Sequence, residues 1–375
     1  MTHLLVLLVA VLVFFALKKT RQSKAADWAQ TQFDAAAYGL APRERLDPRR
    51  AGPPLPVHRR KESQAIADAA WGGDWRPAAA FVEAAGRDWD ERWSRLELLG
   101  AIAKEDDAWL TAWRSADPGN CDAATVEASH LVHTAWAIRG SAYAHEVPAA
   151  DMAKFRELLP AAIEAARRAT LLAPENPGPW VVMVTAARGA RYQPEQFEPL
   201  WSGLVERAPH HYQGHWQAMQ YWCAKWFGSD KQMMAFAERA MDGAPEGSPL
   251  AGIYLHALAE REERKTVGSM LTAESTQRRL RAVAGALALV PADDERLPAL
   301  RHLLAHYSGK AELYDVALEQ FRAIGPWCGC HPWTEENDPV AAFDLARGTA
   351  VKLSKAEPLA PELRPVKDTN HHHSG

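Results

Sequence analysis

Apolar positions recur at the three-to-four-residue spacing of buried helix faces across residues 63–353, and no stretch there alternates as a strand does. Short clusters of turn residues interrupt the pattern at Gly72-Gly73, Asp117-Pro118-Gly119-Asn120, Pro174-Glu175-Asn176-Pro177-Gly178, Ala208-Pro209, Ala244-Pro245-Glu246-Gly247, Pro291 and Gly325-Pro326. Proline is tolerated in a first helical turn, and glycine takes up the backbone conformation that follows a last one, so these clusters both end and restart helices. The pattern predicts an all-α chain of successive helix pairs. Pro174, Pro209 and Pro245 are spaced by 35 and 36 residues, which predicts a repeat.

The densest apolar stretch is residues 210–230, HHYQGHWQAMQYWCAKWFGSD, where Lys225 is the only full charge before Asp230. Read as one helix of about four turns, it is apolar on almost every side and must be surrounded by other parts of the protein. His215, Met219, Trp222 and Trp226 share one stripe, and Trp216, Gln220, Cys223 and Phe227 share the next. Lys225 projects from a third side beside Ala218 and Tyr221. A lysine so placed snorkels to water or pairs with a carboxylate such as Asp230, or it lines a groove where a partner's carboxylate or chain terminus meets the ammonium. Arg188, at the end of a helix that starts near Trp180, supplies a second cation. The candidate binding residues are therefore Lys225, Tyr221, Trp226, His215, Arg188 and Trp180. Gly228 ends this helix, and Ser229 or Asp230 caps the next.

The N-terminus departs from the amphipathic pattern. Residues 4–17 are unbroken apolar sequence, followed by Lys18, Lys19, Arg21 and Lys24. Fourteen residues rise about 21 Å as a helix, short of a hydrocarbon core of about 30 Å, and local thinning or snorkelling lysines cover the difference. A secretory signal needs positive charge before the apolar run and a small-residue cleavage site after it, and this run ends in Leu17-Lys18-Lys19. The expectation is an uncleaved transmembrane anchor over residues 1–17. The basic flank would stay in the cytoplasm, giving a single-pass inner- or plasma-membrane protein with its N-terminus outside and its bulk inside.

Residues 18–61 hold eleven Lys and Arg against four Asp and Glu, a charge of +7 in a chain of net −4, so the remainder carries −11. Pro48, Pro53, Pro54 and Pro56 forbid a regular element in the later part of this segment. It reads as a basic, Pro-rich juxtamembrane linker whose residues 43–61 either rest on anionic lipid or form a solvated spacer. A helical-repeat domain over 62–355 and a disordered tail over 356–375 complete the expected organisation. The acidic balance of the helical part argues against a nucleic-acid partner.

Composition adds limits. Fifteen Trp in 375 residues serve first as core filling, and four Cys are too few for a disulfide framework. Cys328, Cys330 and His331 offer three ligands in four residues, but zinc sites space their cysteines more widely and need a second ligand pair, so no metal and no cofactor is expected. His211 and His215 lack the Glu of an H-E-x-x-H helix, and no G-x-S-x-G or phosphate-binding Gly-rich loop occurs.

Two resemblances add to this reading. Residues 162–189, AIEAARRATLLAPENPGPWVVMVTAARG, resemble a tetratricopeptide junction: Ala162, Ala166 and Ala169 take the small-residue positions, Pro174 ends the second helix, and Trp180 opens the next unit. Residues 303–326 echo it through Tyr307, Ala317 and Phe321, although the usual Leu-Gly pair of the first helix is missing. The series DWRPAAAFVEAA, DAWLTAWRSADP, PGPWVVMVTAARG and APHHYQGHWQAMQYWCAKWFGSDKQMMAFAERA is similar to an uncharacterised bacterial family with a long helical domain of unknown function. The likeness spans about residues 63–345 and is most specific through His215, Cys223, Lys225, Trp226, Gly228 and Ser229. It implies a coherent helical domain and lends no catalytic residue. The expected fold is a tetratricopeptide-like α-solenoid of degenerate helix pairs behind the anchor. The expected function is binding of a partner protein or peptide in an aromatic and cationic groove. The alternative is an enzyme that uses His215, Cys223 or the Cys328-to-His331 cluster.

Overall fold

The computed structural model describes residues 2–140 and 146–364, with side chains from residue 16 onward. Among the described residues the chain is all-α, with no strand and a single isolated backbone bridge. It divides into two compact units, Leu55–Pro245 on one hand and Met1–Pro54 with Glu246–Gly375 on the other. The chain opens on α1 (Thr2–Thr31), which belongs to the second of these.

The unit Leu55–Pro245 contains α2 (Val57–Trp71), α3 (Arg76–Glu83), α4 (Trp89–Glu105), α5 (Ala108–Ala116), α6 (Cys121–Arg139), α7 (Ala149–Ala169), α8 (Gly178–Gly189), α9 (Pro194–Arg207), α10 (Tyr212–Tyr221) and α11 (Asp230–Asp242). Their starts are set by local chemistry. Asp88, Asn120 and Ser229 each accept a hydrogen bond from the backbone N–H three residues on, so an otherwise orphaned donor of the first turn is satisfied. The α6–α7 pair is the most extensive in this unit. Both helices bury alanines, among them Ala128 and Ala135 on α6 and Ala162, Ala166 and Ala169 on α7, and such small side chains let helix axes approach closely. α8 packs on α7, and α9 and α10 pack on α8, so neighbours in sequence are neighbours in space.

The other unit adds α12 (Ile253–Glu263), α13 (Glu274–Ala288), α14 (Leu297–Lys310), α15 (Tyr314–Ile324) and α16 (Pro339–Ser354) to α1. Consecutive pairing recurs through α13, α14, α15 and α16, and α1 then lies along α16. Gly348 allows that contact, because a Cβ there would sit 2.8 Å from Ala29 Cβ and 2.9 Å from the Phe33 ring. The core holds Leu40, Leu46, Phe321, Trp333 and Phe343. Tyr307, Ala317 and Phe321, the residues of the second tetratricopeptide echo, are all buried.

Three expectations about organisation change. Residues 18–54 are not a linker: Ala25, Ala29, Leu40 and Leu46 are buried, and the Pro-rich stretch is tied down by backbone bonds. The Asp47 N–H donates to Pro326 O at 2.8 Å, the Cys328 N–H to Asp47 O at 3.0 Å, and the Gly329 N–H to Arg50 O at 2.8 Å. Prolines exclude a helix here, yet an irregular segment still buries apolar groups when a neighbouring backbone meets its polar atoms. Nor does the expected tail hang free from residue 356: the Leu359 N–H donates to Ala37 O at 2.7 Å, and Pro361–Leu363 form a 3-10 turn. Residues 365–375 of that tail lie outside the described residues. The expected single domain over 62–355 is likewise divided, at Pro245.

Residues 1–15 of the expected anchor lie outside the described side chains. Among the described residues no helix is long and apolar enough to cross a membrane, so the anchor draws no support from the fold.

Gly329→Ala tests whether the Pro-rich stretch is part of the unit. A Cβ at Gly329 would overlap Pro48 O and lie 2.7 Å from the Pro48 carbonyl carbon, and backbone cannot swing aside as a side chain can. The expected cost is about 1–3 kcal/mol in chemical denaturation. A free spacer would make the substitution silent.

Candidate functional site

The aromatic segment does not run as one helix. α10 ends at Tyr221, and residues 222–228 fold back in a turn. The Phe227 N–H donates to Tyr221 O at 3.2 Å and the Gly228 N–H to Cys223 O at 3.3 Å, which closes the turn. Gly228 is required, since a Cβ would overlap the carbonyl oxygen of Trp222. Ser229 then caps α11 as expected.

This turn alters the expected groove. Ala218 and Tyr221 are fully buried. The Tyr221 ring stacks on Phe197 with centroids 3.7 Å apart and on Phe227 at 5.1 Å, and its hydroxyl donates to Tyr192 O at 2.8 Å. Burial pushes the Tyr221 phenol up to about 12. Tyr221 is therefore core, and Lys225 lies exposed on the turn without Ala218 or Tyr221 forming a groove wall.

Arg188 and Trp226 do come together. The Arg188 guanidinium carbon lies 5.0 Å from the centroid of Trp136 and 5.5 Å from that of Trp226. The two indoles meet edge-on at 6.0 Å, and Phe155 meets Trp136 edge-on at 5.0 Å. Arg139 stands 5.9 Å from the Trp136 centroid. Gly189 lets the end of α8 press into this group, because a Cβ there would meet Phe155 at 2.9 Å and Trp136 at 3.1 Å. Trp136, Arg139, Arg188 and Trp226 are all half-buried, and Lys225 immediately precedes Trp226. The sequence reading missed Trp136 and Arg139, although their three-residue spacing at the end of α6 is a signal it contained. Trp180 is not part of this cluster. It sits eight residues earlier on α8, about 12 Å along the helix, with Arg207 4.5 Å from its centroid.

His215 lies in a separate cleft of about 250 Å³, with Glu198, Trp201, Trp222, Phe236 and Arg239 among its lining. Burial lowers His215 to about 4, so the ring is neutral at pH 7. Its Nδ1–H donates to His211 O at 2.9 Å, since a carbonyl can only accept.

The other unit holds polar chemistry that the sequence reading did not single out. Arg347 donates from Nε and Nη2 to Asp344 Oδ1 at 2.8 and 2.7 Å and from Nη1 to Ala41 O at 2.6 Å, while Arg43 Nη1 donates to Asp344 Oδ2 at 3.1 Å. Trp333 Nε1 donates to His302 Nδ1 at 2.9 Å, and His302 Nε2 donates to Ala51 O at 2.8 Å. Glu262 accepts from His306 Nε2 and from the Tyr307 hydroxyl, each at 2.9 Å, and pairs with Lys310. Burial opposes the charge of Glu262, but the bonds from His306 and Lys310 prevail and hold the carboxyl at about 2. A cleft of about 510 Å³ opens beside Arg43, His306, Trp333 and Asp344. These groups satisfy one another, which is the arrangement of a scaffold.

Cys328, Cys330 and His331 do not converge. Cys328 is in the core, whereas His331 Nδ1 bonds Glu335 Oε1 at 2.7 Å. Burial pushes both thiols up to about 11, and among the described residues no group of three His, Cys, Asp or Glu could hold a metal ion.

Comparison of the chain with protein-family models, with curated proteins and with solved structures gives no match.

Burial of His302 and His215 predicts a pH dependence. Each is lowered to about 4 in the fold, from an ordinary value of 6.5. Between those values the unfolded chain binds protons that the folded chain does not, so stability present above pH 6.5 is lost as pH falls toward 4. Each histidine accounts for about 1 kcal/mol lost between pH 6.5 and 5.5. Urea unfolding at the two pH values measures this, and His302→Gln should remove one histidine's share.

Proposed function

We propose that this chain is a membrane-tethered helical-repeat protein that binds an acidic group of a partner protein or peptide at the cluster of Trp136, Arg188 and Trp226. The observation that carries this is the Arg188 guanidinium standing against two indole rings, both of them half-buried. A guanidinium held on aromatic faces keeps its positive charge, which attracts a carboxylate, and cation–π attraction fixes its position beforehand. The three contributors come from α6, α8 and the turn before α11, so little side-chain entropy is left to lose on binding. Exposed Lys225 adds charge at the same turn.

We read the consecutive pairing through α6–α9 and α13–α16 as degenerate tetratricopeptide-like repeats, the architecture that supports such surfaces. The apolar run of residues 4–17 and its lysines are the proposed tether, with the helical units on the cytoplasmic side. α1 spans Thr2–Thr31 and packs on α16. An enzyme reading draws less support: Cys223 is fully buried, and burial keeps the Cys328 and Cys330 thiols protonated.

Selection of displayed random peptides on the purified full chain tests the binding site. Peptides rich in Asp and Glu, or with free C-terminal carboxylates, should enrich. Arg188→Gln and Trp226→Ala, checked for folding by circular dichroism, should each weaken them at least about tenfold. Enrichment of neutral or basic peptides, or affinities that ignore Arg188→Gln, would refute the site. For the tether, removal of residues 2–17 should shift the protein from the membrane to the soluble fraction. A C-terminal reporter should be active only in the cytoplasm.

A further inference from the structure

The cleft around His215 holds chemistry that the partner-binding surface does not use. Trp201, Trp222 and Phe236 form its apolar lining. Trp201 meets Phe236 at 5.2 Å and His215 edge-on at 4.9 Å, so these walls brace one another. His215 is only 7% exposed, yet its Nε2 makes no hydrogen bond within the described residues and is not sealed from solvent. With Nδ1 protonated by its bond to His211, the neutral ring presents a lone pair at Nε2. A neutral acceptor nine-tenths buried among aromatics is suited to a ligand N–H.

Two opposite charges line the same cleft. Glu198 and Arg239 are exposed, and neither makes a hydrogen bond or ion pair with its side chain among the described residues; Arg239 only stands 6.0 Å from the Phe236 centroid. An ammonium is favoured by the carboxylate, by the Nε2 lone pair and by the ring faces together. A bare cation would leave Arg239 facing like charge, whereas a ligand that also carries a carboxylate gives it a partner. The volume of about 250 Å³ lies below the range of drug-sized sites and suits one amino acid.

We propose that this cleft binds a free α-amino acid with an apolar side chain. Its ammonium donates to His215 Nε2 and Glu198, its carboxylate pairs with Arg239, and its side chain lies against Trp201, Trp222 and Phe236. The site does not depend on the Arg188 cluster, so the two readings stand or fall separately.

Calorimetric titration of the full chain with L-leucine, L-phenylalanine and L-methionine in turn tests this. The expected result is saturable binding of at least one, with a dissociation constant of about a millimolar or tighter. The N-acetyl derivative of that amino acid lacks the ammonium and should not bind, and its amide lacks the carboxylate and should bind about tenfold more weakly. Glu198→Gln and Arg239→Gln, both at exposed positions, should each weaken binding about tenfold, while Arg188→Gln should leave it unchanged. The proposal is overturned if none of the three binds up to about 10 mM. Equal binding of the free and N-acetyl forms, or binding indifferent to both cleft variants, overturns it equally.

Discussion

A single buried guanidinium ties α16 to residues 41–43. Arg347 is fully buried, and a charge in that position is tolerated only when its donors are met. Asp344, three residues earlier on α16, meets two of them, and the carbonyl of Ala41 meets a third. Arg43 closes the set on the second oxygen of Asp344. Phe33 and Phe343 place their rings 5.7 Å from the same guanidinium. Removing Asp344 strands the Arg347 charge in a low-dielectric interior, at a cost of about 3–5 kcal/mol. This set holds residues 41–43 against α16, beside the backbone bonds that tie down the Pro-rich stretch and the Gly348 contact that brings α1 onto the same helix.

Arginine against an aromatic ring is the recurring motif of the other unit. Arg95 stands over Phe81, Arg188 over Trp136 and Trp226, Arg207 over Trp180, and Arg239 beside Phe236. Most of these bind the scaffold to itself: Arg207 also donates to Gly203 O at 2.7 Å and to Pro174 O, so its ring contact belongs to a helix junction. The Arg188 cluster differs because two indoles and a guanidinium from three separate elements reach the surface together. The abundance of tryptophan is thus both core filling, as at Trp109 and Trp113, and surface chemistry.

The Arg188 cluster and the His215 cleft divide residues that the pattern of 210–230 had placed on one helix. Trp226 turns toward Arg188, while His215 and Trp222 line the small cleft. Tyr221 sits in the core between them in the chain, stacked on Phe197 and Phe227. The turn closed at Gly228 produces that division, since a continuous helix would have kept Trp222 and Trp226 on one stripe.

Helix content and most breaks were legible in the residues because they depend on local chemistry. Periodicity marks a buried face, and Pro, Gly, Asn and Asp clusters mark its ends, so the interruptions at 72–73, 117–120 and 244–247 fall between helices as expected, and that at 174–178 runs into the first residue of α8. Ser229 as a cap is local in the same sense. The break after Tyr221 was not legible, because an all-round apolar pattern suits a buried turn as well as a buried helix. What distinguishes them is the contact of Gly228 with the Trp222 carbonyl. Arg188 and Trp226 could be named as candidates from their types, but Trp136 enters from α6, and Ala41 reaches Arg347 across about 300 residues of chain. Such pairings cost closure entropy that no local pattern records. They are set by which distant groups can satisfy a buried charge or fill the space beside a ring.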